Sequence, residues 1–174
     1  LARDFQLSAQ TVISSEWNEL NALAAQAPGS PQRQARIMAA GELMSTLLGA
    51  AILQQLGLQA LWRDARQALV SVAWPEAAKR HYLNAEVEAN PNSQLSGQWR
   101  AQWCQKLGAQ QQGCLITQGF IASDPQGHTV VLGRGGSDTS AAYLGVVLQA
   151  ARVEIWTDVP GMFSANPRVV SSAR

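Results

Sequence analysis

Between Gln32 and Leu56 apolar positions recur at helical spacing, in QRQARIMAAGELMSTLLGAAILQQL. At 100° per residue Ile37, Met44, Leu48 and Ala51 fall within about 60° of one another, which predicts one long helix with an apolar stripe. LQALWRDA, from Leu58 to Ala65, reads as a short strand. No clear period runs through Gln67 to Gln94, and NPNS at Asn90 to Ser93 is a loop signal. A helix is predicted over Leu95 to Leu107, with Trp99 and Trp103 on one face. CLITQGFIA, Cys114 to Ala122, reads as a buried strand. A turn at SDPQGH leads from it into a second strand, TVVLG. A helix from Ser137 to Ala151 and a third strand at VEIWTDV, Val153 to Val159, complete the pattern, with Trp156 expected in the core. Strand, glycine turn, helix and strand make a parallel crossover unit, so the predicted class is α/β, a sheet with helices on its faces.

The junction between the second strand and its helix is unusual. LGRGGSDTSAAYLG, Leu132 to Gly145, carries Gly133, Gly135 and Gly136 with Arg134 among them and Ser137-Asp138 following. A helix N-terminus offers free N–H groups and the positive end of the dipole, and glycines let a ligand approach the backbone. Arg134 adds a planar fork suited to carboxylate or phosphate. These features predict an anion-binding turn. The competing reading is a tight structural turn capped by Ser137. The stretch is neither a Walker loop nor a dinucleotide fingerprint, since Asp138 occupies the third glycine position of the latter. Asp138 either organises a phosphoryl-transfer site with cations or simply favours the helix dipole.

Composition narrows the classes. The chain has 174 residues, 47% hydrophobic and 14% charged, with a formal net charge of +1. One globular domain is expected, with no electrostatic case for nucleic acid or an anionic membrane. No continuous apolar run approaches the roughly eighteen residues of a membrane span. Cys104 and Cys114 fit neither a metal pair nor a disulfide framework, so a reduced, cytoplasmic protein is expected. His81 and His128 show no partner pattern and are assigned no role. The start at Leu1 and the end at PRVVSSAR read as a piece of something longer.

GELMSTLL (Gly41 to Leu48), ITQGFIAS (Ile116 to Ser123), LGRGGSDTSAA (Leu132 to Ala142) and VEIWTDVPGMFSANPRVV (Val153 to Val170) together resemble aspartate kinase, of the amino-acid kinase superfamily. The resemblance is strongest over Gly113 to Arg174 and thinner from about Gln32. It implies a three-layer α/β/α sandwich with a mainly parallel sheet, and ATP- and Mg²⁺-dependent phosphorylation of the L-aspartate β-carboxylate towards lysine, threonine and methionine. By motif matching, Glu42 and Arg134 would contact aspartate, with Gly136 and Ser137 in the same pocket and Asp138 as the catalytic organiser of phosphate and cations. Thr157, Asp158, Phe163 and Arg168 would line the ATP site. Read from the residues alone, Glu42 lies about 160° from Met44, as a solvated glutamate would, and Asp158 could cap the turn at VPG.

Departures accompany the likeness. Phe163 stands where the family has tyrosine, and Asn166-Pro167-Arg168 replaces Asp-Pro-Arg. The family's Lys-Phe-Gly-Gly-Thr-Ser loop is absent, and Lys79 and Lys106 lie in no such loop. Residues 1–174 are therefore expected to be the middle part of the catalytic domain, inactive alone, from a parent that self-associates. The Arg-Gly-Gly turn resembles the lysine-sensitive type, with a bifunctional fusion as an alternative parent. Another amino-acid kinase with a different acceptor, or a non-catalytic piece, are the competing functional readings.

Overall fold

Two short helices, α1 (Ala9–Val12) and α2 (Ser14–Ala24), precede the longest one, α3 (Pro31–Gln55), in the computed structural model. It describes residues 8–26, 29–88, 97–99, 101, 102, 105, 113–156, 164–166 and 168–173. Ser30 caps α3, its side chain accepting the Arg33 N–H at 3.4 Å, and Pro31 takes the first helical position, where a missing N–H costs nothing. Arg33 donates to the Leu23 carbonyl in the last turn of α2 and to the Gln26 carbonyl just beyond it. An Arg36–Glu19 ion pair adds a second tie between the two helices.

The α3 helix was expected to present Ile37, Met44, Leu48 and Ala51 inwards. Instead Ala35, Ala39, Ala40, Leu43 and Ala50 are its buried residues, while Ile37 is exposed. Small side chains win this face because α3 packs against β-structure, where alanine permits close approach. By length and a mean hydropathy of 1.4 over its best window, α3 would satisfy a membrane-span criterion. Polar residues punctuate α3 throughout, so it holds no continuous apolar run of that length. In the fold α3 contacts α2, β-structure and the helix at Ala78–Leu83.

After α3 the chain enters β1 (Gln59–Trp62), a 3-10 turn at Ala65–Gln67 and α4 (Ala78–Leu83). Then follow β2 (Gly113–Ile116), β3 (Ile121–Ser123), β4 (Thr129–Val131) and α5 (Gly136–Leu148). β1 pairs with β2 in parallel, Gln59 opposite Gly113 and Trp62 opposite Ile116. β3 pairs with β4 antiparallel, Ile121 opposite Val131. The segment through Val70 runs parallel to β3, with the Ser71 N–H donating to Ser123 O at 2.8 Å. The core gathers Leu43, Leu69, Ile121, Val130, Val131 and Leu144 between these strands and helices. This is the expected α/β class. Residues 97–99, 101, 102 and 105 are helical and Trp99 is buried, matching the predicted helix; Trp103 and Cys104 lie outside the described residues.

Two of the predicted strands differ. CLITQGFIA is two strands, broken at Thr117–Phe120. The third strand does not form over Val153–Trp156, which is exposed, Trp156 to 91%. A parallel strand buries its side chains only when a neighbour pairs with it, and no strand lies beside this segment among the described residues.

The two histidines are not isolated. Asp124 is 2% exposed and its Oδ2 accepts from His81 Nε2 at 3.0 Å and His128 Nδ1 at 2.9 Å. Its Oδ1 accepts the backbone N–H groups of Gln126 and His128. The Trp74 N–H donates to His81 Nδ1, so the His81 proton sits on Nε2 and points at the carboxylate. Burial would push the Asp124 carboxyl up, but hydrogen bonds from His81 and from the His128 backbone and ring, together with the His128 charge, outweigh it and hold it below 3.8. This carboxylate pins the β3–β4 hairpin to α4.

Because the folded state holds this carboxyl below its unfolded value, its contribution is full above about pH 4 and is lost as pH falls through the lowered value. Denaturant titrations should show Asp124→Ala losing about 3 kcal/mol at neutral pH, since it strands buried donors. Asp124→Asn should show a flatter decline in stability between about pH 5 and about pH 3 than the parent. Parallel decline in both proteins would mean the carboxylate carries none of the acid sensitivity.

Candidate functional site

Only Leu132–Gly135 separate β4 from α5. Gly133 and Gly135 hold φ at 71° and 73°, a left-handed conformation that costs an ordinary residue about 1–2 kcal/mol. Gly135 is the N-cap of α5, and no side chain caps the helix. Ser137 is therefore not the cap that the structural-turn reading required; it lies inside the first turn. The Gly136 N–H turns back to Gly133 O at 3.1 Å, and the Thr139 N–H bonds Gly135 O at 3.0 Å. Between them, the N–H groups of Ser137 and Asp138 make no hydrogen bond among the described residues. Arg134, Ser137 and Asp138 are all exposed, so an arginine fork, two free N–H groups and one carboxylate share a single turn.

The turn is held from below by the Thr117–Phe120 break, at the carboxyl end of β2. A Cβ on Gly136 would fall 2.9 Å from Phe120 Cδ2 and 2.9 Å from Leu132 Cβ, and one on Gly119 would fall 3.2 Å from the Ser137 backbone. Phe120 itself has φ 69°, costly for a bulky residue. It is kept there at both ends of its backbone: its N–H donates to Ser140 Oγ at 2.9 Å and its carbonyl accepts from the Leu132 N–H at 2.9 Å. Ser140 passes its own proton to Gly136 O at 2.8 Å.

The same break reaches α3. Gln118 Nε2 donates to Thr46 Oγ1 at 2.7 Å, and Thr46 Oγ1 donates to the Glu42 carbonyl at 2.7 Å. Glu42 is half-buried. On the wheel it lies about 20° from Ala35, so it borders the face that packs inwards. Its distance from the Ile37–Met44 stripe, which made it look like a solvated residue, has the opposite meaning once the buried face is known.

Of the sequence-predicted residues, Gly136 and Ser137 touch this loop and Arg134 and Asp138 neighbour them in the same turn, while Glu42 is linked to it through its backbone carbonyl and Thr46. Of the nucleotide set only Arg168 lies among the described residues. Arg168 is exposed, its N–H held by Asn166 Oδ1 at 3.0 Å, while Thr157, Asp158 and Phe163 lie outside the described residues. Sequence reasoning missed Gln118, Phe120, Thr46 and Ser140. The available signal was polar Gln118 inside an apolar run.

The amino acid kinase family matches residues 2–174. Over 145 residues, 83% of the chain, it is 41% identical to lysine-sensitive aspartokinase 3 of Escherichia coli, of which it spans 29%. It is 39% identical over 140 residues to bifunctional aspartokinase/homoserine dehydrogenase 2 of the same organism, covering 80% of this chain and 15% of the relative. The solved structure of E. coli aspartokinase III with aspartate and ADP superposes with a TM-score of 0.69 at 38% identity, covering 96% of this chain and 35% of that one. With a family match across almost its whole length, a parallel β1–β2 pair and a glycine junction opening α5, the chain belongs to the amino acid kinase family.

Proposed function

We propose that the protein carrying this chain is an aspartate kinase, transferring the γ-phosphate of ATP to the β-carboxylate of L-aspartate to give 4-phospho-aspartate. The observation that carries the reading is the first turn of α5, where Arg134 and the free N–H groups of Ser137 and Asp138 share one exposed turn beside the loop that is hydrogen-bonded to Thr46 on α3. A relative at 38% identity was solved with aspartate and ADP, which supports the same ligand pair here.

In this reading Arg134 grips an aspartate carboxylate in a two-pronged hydrogen bond. Glu42, half-buried, faces the substrate ammonium, and Gly136 and Ser137 line the pocket, Ser137 with a free backbone N–H and Gly136 by leaving room for the ligand. The β-carboxylate oxygen attacks the γ-phosphorus while the bond to the ADP oxygen breaks, leaving an acyl phosphate. Positive charge at the helix terminus stabilises the anion that develops. Mg²⁺ suits the donor set, since Asp138 offers an exposed hard oxygen and magnesium is held by one or two carboxylates plus phosphates. When bound, it draws charge from the transferring phosphate. Thr157, Asp158, Phe163 and Arg168 hold the nucleotide. Residues 1–174 supply the middle of the catalytic domain, and the enzyme is cytoplasmic and self-associating.

Hydroxamate trapping of the acyl phosphate, in the protein carrying this chain, tests the assignment. Arg134→Ala should cost about 3 kcal/mol in kcat/KM for aspartate, near two orders of magnitude, and leave the ATP KM almost unchanged. Arg134→Lys should recover little, because an ammonium keeps the charge without the fork. If Arg134→Ala kept its aspartate KM and only melted earlier, the junction would be a structural turn.

Asp138→Asn should differ in kind, reducing kcat by about 10²–10³ with little change in the aspartate KM. An unchanged kcat would remove Asp138 from the catalytic role.

A further inference from the structure

Gln118 is 1% exposed, yet it carries two polar atoms into the core. Its Oε1 accepts the Ala65 N–H at 2.8 Å and its Nε2 donates to Thr46 Oγ1 at 2.7 Å. The orientation is forced, because a backbone N–H can only donate and so the amide oxygen must face Ala65. Thr46 is equally constrained. It receives Gln118 and also the Trp62 indole N–H at 3.1 Å, which fills both lone pairs of its oxygen. Its own proton is left for the backbone, and it goes to Glu42 O at 2.7 Å with Leu43 O at 3.1 Å.

This hub therefore joins α3, the end of β1, the 3-10 turn and the β2–β3 loop through groups whose donor and acceptor roles are fixed by their partners. The loop continues straight from Gln118 into Gly119, against Ser137, and Phe120, bonded to Ser140. We propose that Gln118 is a positioning residue that sets the Glu42 turn of α3 against the first turn of α5. The inference rests on the aspartate-site reading for its kinetic consequence, while the mechanical coupling stands on the hydrogen bonds alone.

An apolar core side chain would fill the same space, so the amide must be separated from mere packing. Gln118→Leu removes donor and acceptor together and strands the Ala65 N–H. Gln118→Glu keeps the acceptor and the volume but loses the donor to Thr46. Thr46→Val keeps the shape without the hydroxyl, whereas Thr46→Ser keeps the hydroxyl. The experiment measures aspartate and ATP kinetics in these four variants of the protein carrying this chain, with amide hydrogen exchange over 42–46 and 136–140.

Gln118→Leu and Thr46→Val should each raise the aspartate KM about tenfold, with the ATP KM within about twofold, and Thr46→Ser should restore the parent value. Gln118→Glu should fall with the impaired variants. Exchange should quicken in both segments together in Gln118→Leu, although only one of them bonds to the hub directly. Faster exchange confined to 42–46, or a lowered melting temperature with both KM values unchanged, would overturn the proposal. A parent protein inert towards aspartate would overturn the substrate reading instead, and the exchange result would then decide the coupling by itself.

Discussion

A buried amide must satisfy its donor and acceptor at once, and Gln118 does so only in one place in this fold. The Ala65 N–H and Thr46 Oγ1 lie on opposite sides of it, contributed by segments 53 and 72 residues away in sequence. Leaving either atom unpaired would cost about 1–3 kcal/mol. The apolar run from Cys114 to Ala122 is interrupted at the point where this amide is buried and paired. The break at Thr117–Phe120 has β2 parallel to β1 on one side and β3 antiparallel to β4 on the other.

The break is also where backbone strain and electrostatics meet. Phe120 is held in the left-handed region by Ser140 and Leu132, and that arrangement brings its ring to within contact of Gly136. Any residue larger than glycine at 136 would push the helix start off the loop. The first turn of α5 thus stands at a set height above the carboxyl end of β2, with its free N–H groups outward. Open α/β sheets place ligands at that end of their strands, and here the glycines and the strained phenylalanine are the local means.

Asp124 is a second anchor, independent of the first. Its two oxygens accept four hydrogen bonds, two from imidazole rings and two from backbone. It ties the β3–β4 hairpin to α4, whose following residue Asn84 packs over Gly133. The glycine junction is thereby bounded on one side by the Gln118 loop and on the other by α4.

Local chemistry made much of this legible. The α3 helix, β1, the hairpin turn at SDPQGH and the GRGGSD junction are governed by neighbours within a few residues, through periodicity, capping and the freedom of glycine. Partnerships across the chain were not legible, because they depend on which faces meet. The inward face of α3 is alanine-rich, where hydrophobicity pointed to Ile37 and Met44. Glu42 changed from a solvated position to a half-buried one for the same reason. His81 and Asp124, 43 residues apart, show no spacing that marks them as partners. Val153–Trp156 has the composition of a strand and is none, since strand formation needs a neighbour to complete its hydrogen bonds. The sequence by itself determined where the chain turns and where an anion could meet a helix. The tertiary structure alone decided which polar groups are buried together, because burial is a property of packed surfaces and not of any one segment.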